Sequence, residues 1–199
     1  MGKLILVRHG ESEANRDQVF AATGEVPLTD LGRQQAHELA QRIAKRFAPA
    51  RIITSTFLRA RQTAEILAAE LKLPVEVFEG IHERDLGSLK GDTYSKQLDV
   101  ALQDQNYDPR KRWLWRPPEG ESYDDVRQRV VPALEELRNR YPDEDLLVVS
   151  HGAVMLCAWA HFAKSWDNAH GPSNCGIFLI PHADGRFDAP EIIKDQSAC

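Results

Sequence analysis

The start of the chain offers no segment long enough to enter a membrane. MGKLILVRHG holds only four apolar residues in a row, Leu4 to Val7, before Arg8, far short of a signal-peptide core or a span. Gly2 is followed by Leu at position 6, where N-myristoylation needs Ser or Thr. Basic charge is not in excess either: 25 Lys and Arg against 30 Asp and Glu give a net charge of −5. Neither a nucleic-acid backbone nor an anionic membrane is therefore an expected partner, and any anion has to be gripped by a few converging side chains. The three cysteines, Cys157, Cys175 and Cys199, form no C-x-x-C pair and leave one over, which suits a reducing compartment better than a disulfide framework. The expected location is the cytoplasm. No histidine pair has the H-x-x-x-H spacing of a zinc site, so no metal is expected, and the sequence shows no internal repeat or low-complexity tract.

What is present is an ordinary globular composition, with 42% hydrophobic and 28% charged residues, 12 Gly and 11 Pro in 199 residues. At ~150 residues per domain this is one domain over residues 1–199 with room for an insertion. Apolar β-branched runs alternate with helical periodicity, which marks an α/β domain around a mostly parallel sheet. Strands are expected at Leu4–Val7, Arg51–Thr54, Val75–Phe78, Leu146–Val149 and Ile177–Ile180. A helix capped by Thr29 puts Ala36, Leu39, Ala40, Ile43, Ala44 and Phe47 on one face, and another after Ser55 does so with Ala60, Ala64, Leu67, Ala68 and Leu71. Ser122 and Asp125 have the spacing of a capping box ahead of Val126, Val130, Leu134, Leu137 and Tyr141, with Pro132 placed to bend that helix. A last helix opens at Gly152 and carries Ala153, Cys157, Ala158 and Phe162. Residues 80–120 lack a clean period and are rich in Gly and Pro, so they read as an insertion with one short helix. The stretch after Pro190 reads as a loose tail.

Two strands end alike: LILV runs into Arg8-His9-Gly10, and LLVV runs into Ser150-His151-Gly152. A third, RIIT, ends at Ser55, with Arg59 and Arg61 in the opening of the next helix. Ligands of open α/β sheets bind at this carboxyl edge of the strands. Arginine forks and helix N-termini both favour a phosphoryl group there, and a neutral imidazole among arginines is a capable nucleophile. A lone histidine at a strand end is more often structural; the weight lies in three such ends recurring together.

LVRHGESEAN (6–15), TGEVPLTDLG (23–32), STFLRARQTA (55–64), HERDLGSLKG (82–91), PPEGESYDDVRQRV (117–130) and VVSHGAVM (148–155) together resemble the histidine phosphatase superfamily, the clan of cofactor-dependent phosphoglycerate mutases. The resemblance covers almost the whole chain in the right order. It implies a three-layer α/β/α sandwich with a mostly parallel central sheet and an insertion over the active site. It also implies roles: His9 would become a phosphohistidine, and Arg8, Arg59 and a protonated His151 would hold the phosphoryl oxygens. Glu83 would protonate the leaving alkoxide and then activate water. Asn15 would face the phosphate with Gly152 beside it, and Thr23 and Gly24 would line the entrance.

Phosphoryl transfer asks a protein mainly for positioning and charge stabilisation, so no cofactor is expected. Asp85 is the fallback acid, and Asp92 and Asp99 read as surface. His82 reads as structural, His37 as solvated, and His161 and His170 have no partner motif. Ser55 and Ser150 lack the G-x-S-x-G turn of serine hydrolases. Cys157 reads as core, and Trp113 and Trp115 are the tryptophans placed to cover the pocket. Arg110, Arg112 and Arg116 form a basic cluster that would suit a small acidic substrate, with a solvated face as the plainer reading. The family mutases carry an adjacent arginine pair in this region that is not matched here. The expected activity is therefore a phosphomonoesterase acting on a small phosphate ester, with a homodimer allowed for. A phosphoglycerate mutase, a phosphoprotein phosphatase and a non-catalytic phosphate-binding protein stand as the alternatives.

Overall fold

The computed structural model describes residues 2–167, 169 and 171–193; Cys199, His170 and the end of the expected tail lie outside them. The described residues form one seven-stranded sheet. It contains β1 (Gly2–Arg8), β2 (Arg51–Thr54), β3 (Val75–Val77), β4 (Leu146–Ser150), β5 (Ile177–Ala183), β6 (Arg186–Phe187) and β7 (Glu191–Ile193). The order is β3-β2-β4-β1-β5-β6, with β7 also on β5. The first four strands run parallel, while β5 is antiparallel to β1, β6 and β7.

The period of two along each buried strand divides the core between two faces. Leu4 and Leu6 of β1, with Leu146 and Val148 of β4, face the cluster built on α5 (Tyr123–Arg140) and α6 (Gly152–Phe162). Ile5 and Val7, with Leu147 and Val149, face α2 (Asp30–Arg46) and α3 (Leu58–Leu71). A sheet apolar on both sides needs helices on both sides, and the three layers follow.

Local signals set the helix ends. The Thr29 side chain accepts a hydrogen bond from Gly32 N–H at the start of α2, and Ser122 and Asp125 make a reciprocal capping box at α5. Helix α5 continues through Pro132. Two expectations are corrected here. Ala44 is exposed, because the buried stripe of α2 runs from Ala40 through Ile43 to Phe47 and leaves Ala44 turned about 100° to its side. Residues 191–193 are not tail but β7, which completes the ladder beyond β5.

Residues 80–120 hold more structure than one short helix: a 3-10 turn at Gly87–Leu89, α4 (Tyr94–Gln103) and a second 3-10 turn at Pro109–Leu114. They close on a small core of Leu89, Ala101 and Trp115. Near the start of the chain a four-residue helix, α1 (Glu13–Arg16), is capped by Ser12. None of the helices among the described residues is long and apolar enough to cross a membrane.

Candidate active site

Parallel register brings the two similar strand ends side by side. Arg8 pairs with Ser150 across β1 and β4, and His9 N–H donates to Ser150 O at 3.0 Å. Strand β2 lies on the other side of β4, where Ser55 N–H donates to Val149 O at 3.1 Å. The chain leaves β1 tightly: a Cβ on Gly10 would stand 2.3 Å from Gly32 O. Only glycine lets the turn after His9 pack on the first turn of α2.

The rings of His9 and His151 are 5.2 Å apart between centroids, at an interplanar angle of 63°. His9 is 2% exposed. Its Nδ1 lies 2.7 Å from Gly10 O, an acceptor, so Nδ1 carries the proton. Nε2 is left as the lone-pair nitrogen and accepts from Arg59 Nε–H at 3.1 Å. This tautomer is assigned from the hydrogen-bond partners. Burial lowers the His9 pKa well below the ordinary histidine value, and Arg59 and Arg8 push it further down. The uncharged ring is favoured.

His151 lies one layer deeper. It is fully buried, its Nε2 is 2.8 Å from Ser55 Oγ, and Phe57 packs on its ring at 5.2 Å. Burial first, then Arg59, His9, His82 and Arg8, hold its pKa well below the ordinary value. The surroundings of His151, expected from the sequence to be protonated, disfavour its charged ring, and the fixed charges beside it are those of Arg59 and Arg8. Arg8 donates from Nη1 to Pro172 O at 2.8 Å. Arg8 Nε, Arg59 Nη1 and His151 Nδ1 are buried without a protein partner. Such groups are costly to leave unsatisfied, and here they cluster around His9.

Glu83 arrives from the loop after β3. Its Oε1 accepts from Arg84 N–H at 2.9 Å and from Ala153 N–H at 3.2 Å, which ties the carboxyl to the first turn of α6. Arg129 of α5 secures that loop by donating to the carbonyls of Gly80, His82 and Glu83 at 2.9, 2.9 and 3.1 Å. It also pairs with Glu121 at 2.8 Å, and Glu121 in turn accepts from Asp85 N–H at 2.8 Å.

A cavity of about 600 Å³ opens over these groups, lined by Arg8, His9, Asn15, Thr23, Gly24, Arg59, Glu83 and Gly152 among others. Asn15 Nδ2 donates to Tyr94 Oη at 3.1 Å, and Asn174 donates to His9 O at 3.0 Å. His82, read from the sequence as structural, lines the cavity as well. His151 does not line it, and neither do Arg110, Arg112 and Arg116. Arg110 turns back to Asp108 at 3.1 Å and Arg116 to Asp125 at 2.6 Å, so each has a local carboxylate that holds it outward. Their place is taken by Arg84, a buried residue that sequence reasoning passed over. Its Nε donates to Glu121 O at 2.6 Å, its guanidinium stacks 4.2 Å from the Tyr123 ring, and its Nη1 has no protein partner. Arg84 and Arg129 both sit inside the quoted motifs, a signal that could have found them. Phe57 lies inside one as well, whereas Tyr94 and Asn174 have no such signal. Among the described residues no group of three His, Cys, Asp or Glu is placed to hold a metal ion.

The two depressed histidines set a stability profile. An unfolded histidine titrates near 6.5, whereas His9 and His151 resist protonation when folded, so below that pH the unfolded chain binds more protons and stability falls. Each ring contributes up to about 1.4 kcal/mol per pH unit. Urea unfolding at pH 7.5, 6.5 and 5.5 is expected to show this slope, and His151→Gln to reduce it by one histidine's share. An unchanged slope in that variant would remove His151 from the account.

Comparisons with known proteins bear on the family and the fold. A family model described as histidine phosphatase superfamily (branch 1) matches residues 4–192. Phosphoglycerate mutase-like protein 4 of Arabidopsis thaliana is 31% identical over 185 residues, 92% of this chain and 80% of that protein. The 6-phosphofructo-2-kinase/fructose-2,6-bisphosphatase of Aquarana catesbeiana is 36% identical over 165 residues. That match takes in 80% of this chain, which spans only 32% of the longer protein. Among solved structures, a mycobacterial glucosyl-3-phosphoglycerate phosphatase in complex with VO3 superposes with a TM-score of 0.84 at 26% identity, covering 100% of both chains.

Proposed function

The chain belongs to the histidine phosphatase superfamily, and from that premise we propose a phosphomonoesterase that works through a phosphohistidine on His9 and takes a small acidic phosphate ester. The observation that carries this reading is the His9 tautomer: Nδ1–H is committed to Gly10 O, and Nε2 keeps its lone pair beside Arg59.

The reaction balances with groups in the cavity. Nε2 of His9 attacks phosphorus, the P–O bond to the alcohol breaks, and the leaving alkoxide takes a proton from Glu83. Water then attacks the phosphohistidine, Glu83 recovers a proton from it, and orthophosphate leaves with His9 restored. Arg8 and Arg59 offer the donors for the phosphoryl oxygens, and His151 backs the His9 ring. Burial lowers the Arg59 pKa from its ordinary value, while Glu83 opposes that shift.

A small substrate is supported by the cavity volume of about 600 Å³, inside the usual range for small-molecule sites. Acidity is supported by Arg84, which lines that cavity and keeps one guanidinium nitrogen without a protein partner. A panel of phosphometabolites, assayed for released phosphate with and without 2,3-bisphosphoglycerate, tests the reading. Hydrolysis is expected to prevail in both conditions and to survive EDTA. Bisphosphoglycerate-dependent isomerisation without net phosphate release would replace it with a mutase.

A further inference from the structure

A second cavity, of about 390 Å³, abuts the catalytic one and shares Tyr94, Gln97, Tyr123 and Leu156 with it. Tyr107, Trp113, Trp115 and Trp166 supply the aromatic part of its other walls. Trp113 and Trp166 stack with centroids 5.5 Å apart and planes within 1° of parallel. One indole comes from the 3-10 turn before Trp115 and the other from beyond α6, so two distant segments fix one flat wall. Trp115 is oriented by its Nε1–H, which donates to Asp104 at 3.1 Å, and by Tyr107 edge-on at 6.1 Å. Rigid aromatic faces of this kind bury a ring at little cost in side-chain freedom.

Gln97 and Arg112, each with a polar side-chain end, also line this space. A purely aromatic guest would strip water from them and give no hydrogen bond in return. A sugar ring has a C–H face for the indoles and hydroxyls for the amide and guanidinium. We propose that this second cavity is the leaving-group subsite and that it receives a glycosyl ring carried on the alcohol portion of the phosphate ester. The inference rests on the phosphomonoesterase reading above.

The test compares sn-glycerol 3-phosphate with its 2-O-glucosyl derivative and its 2-O-phenyl analogue, all three of which release a primary alkoxide. The glucosyl compound is expected to be favoured over glycerol 3-phosphate in kcat/KM by roughly 10- to 200-fold, the range one added group in a pocket gives. Trp166→Ala and Trp113→Ala should each bring that ratio close to one, chiefly through KM, with Val77→Ser on the exposed β3 edge leaving it intact. Thermal melts report whether the variants fold, and Trp166→Phe, which keeps a ring, should keep part of the ratio.

A wild-type ratio of one overturns the subsite, as does a preference that survives both tryptophan variants. A phenyl compound equal to or better than the glucosyl one overturns the sugar assignment. If neither these esters nor p-nitrophenyl phosphate is hydrolysed, the phosphomonoesterase reading itself fails and the subsite falls with it. Hydrolysis of all three without preference fails the subsite alone.

Discussion

His9→Ala is expected to lower kcat for p-nitrophenyl phosphate by on the order of 10⁶, the scale seen when a covalent nucleophile is removed from an enzyme. Even a good leaving group needs an attacking atom, and the substitution deletes the one nitrogen whose lone pair is held beside the arginines. Two buried groups near it are poorly placed to replace it. His151 is fully buried, with Nε2 committed to Ser55. Cys157 is buried and its pKa is pushed far above the ordinary thiol value, chiefly by burial. The variant should still fold, because it removes a ring that burial already penalises in its charged form, although Arg59 Nε loses its acceptor at a cost of about 1–3 kcal/mol. His9→Gln, which retains an acceptor near Arg59, serves as the second variant. Wild-type protein quenched during turnover should carry acid-labile phosphorus, and His9→Ala none. Substantial turnover by a folded His9→Ala protein would remove the nucleophile assignment.

Much of this site is legible because its key residues stand next to elements that the sequence announces. Arg8-His9 follows LILV and Ser150-His151 follows LLVV, and a short continuous apolar run closed by a glycine turn reads as a strand buried on both faces. Strand order then does the rest: β4 lies between β1 and β2, so three strand ends share one edge. The pull on the His151 proton was not legible, since it depends on burial and on neighbouring groups from three segments, Arg8 with His9, Arg59 and His82. The direction of Arg110 and Arg116 was hidden for a related reason. Charge in a sequence carries no direction, and Asp108 and Asp125 draw Arg110 and Arg116 outward. Arg84 was hidden in the opposite way: one arginine inside a motif does not reveal that it is buried against Tyr123. Residues 80–120 lack periodicity because their core is only three buried side chains, too few to impose a repeat.

Glu83→Gln is expected to separate the two half-reactions. The amide matches the carboxyl in size and can still accept the hydrogen bonds from Arg84 and Ala153 through one oxygen, so the loop and its Arg129 clamp should stay in place. What it loses is the ability to give up or take a proton. Alkyl phosphates, whose alkoxide must be protonated as it leaves, should lose roughly 10²–10⁴ in kcat/KM, the usual contribution of a general acid. For p-nitrophenyl phosphate the phenolate departs unaided, and kcat/KM should change little. Its kcat should nevertheless fall, because the water that clears the phosphohistidine has lost its base, and a burst of nitrophenolate should precede a slow steady state. Other nearby carboxyls are poor substitutes. Burial works to raise the Asp85 pKa, but hydrogen bonds from Lys90 and Gly87 N–H bring it below the ordinary value, and Glu121 is likewise held low against burial by Arg129. An equal fall in kcat/KM for aryl and alkyl esters would mean that Glu83 only shapes the pocket, and the proton would have to be sought elsewhere.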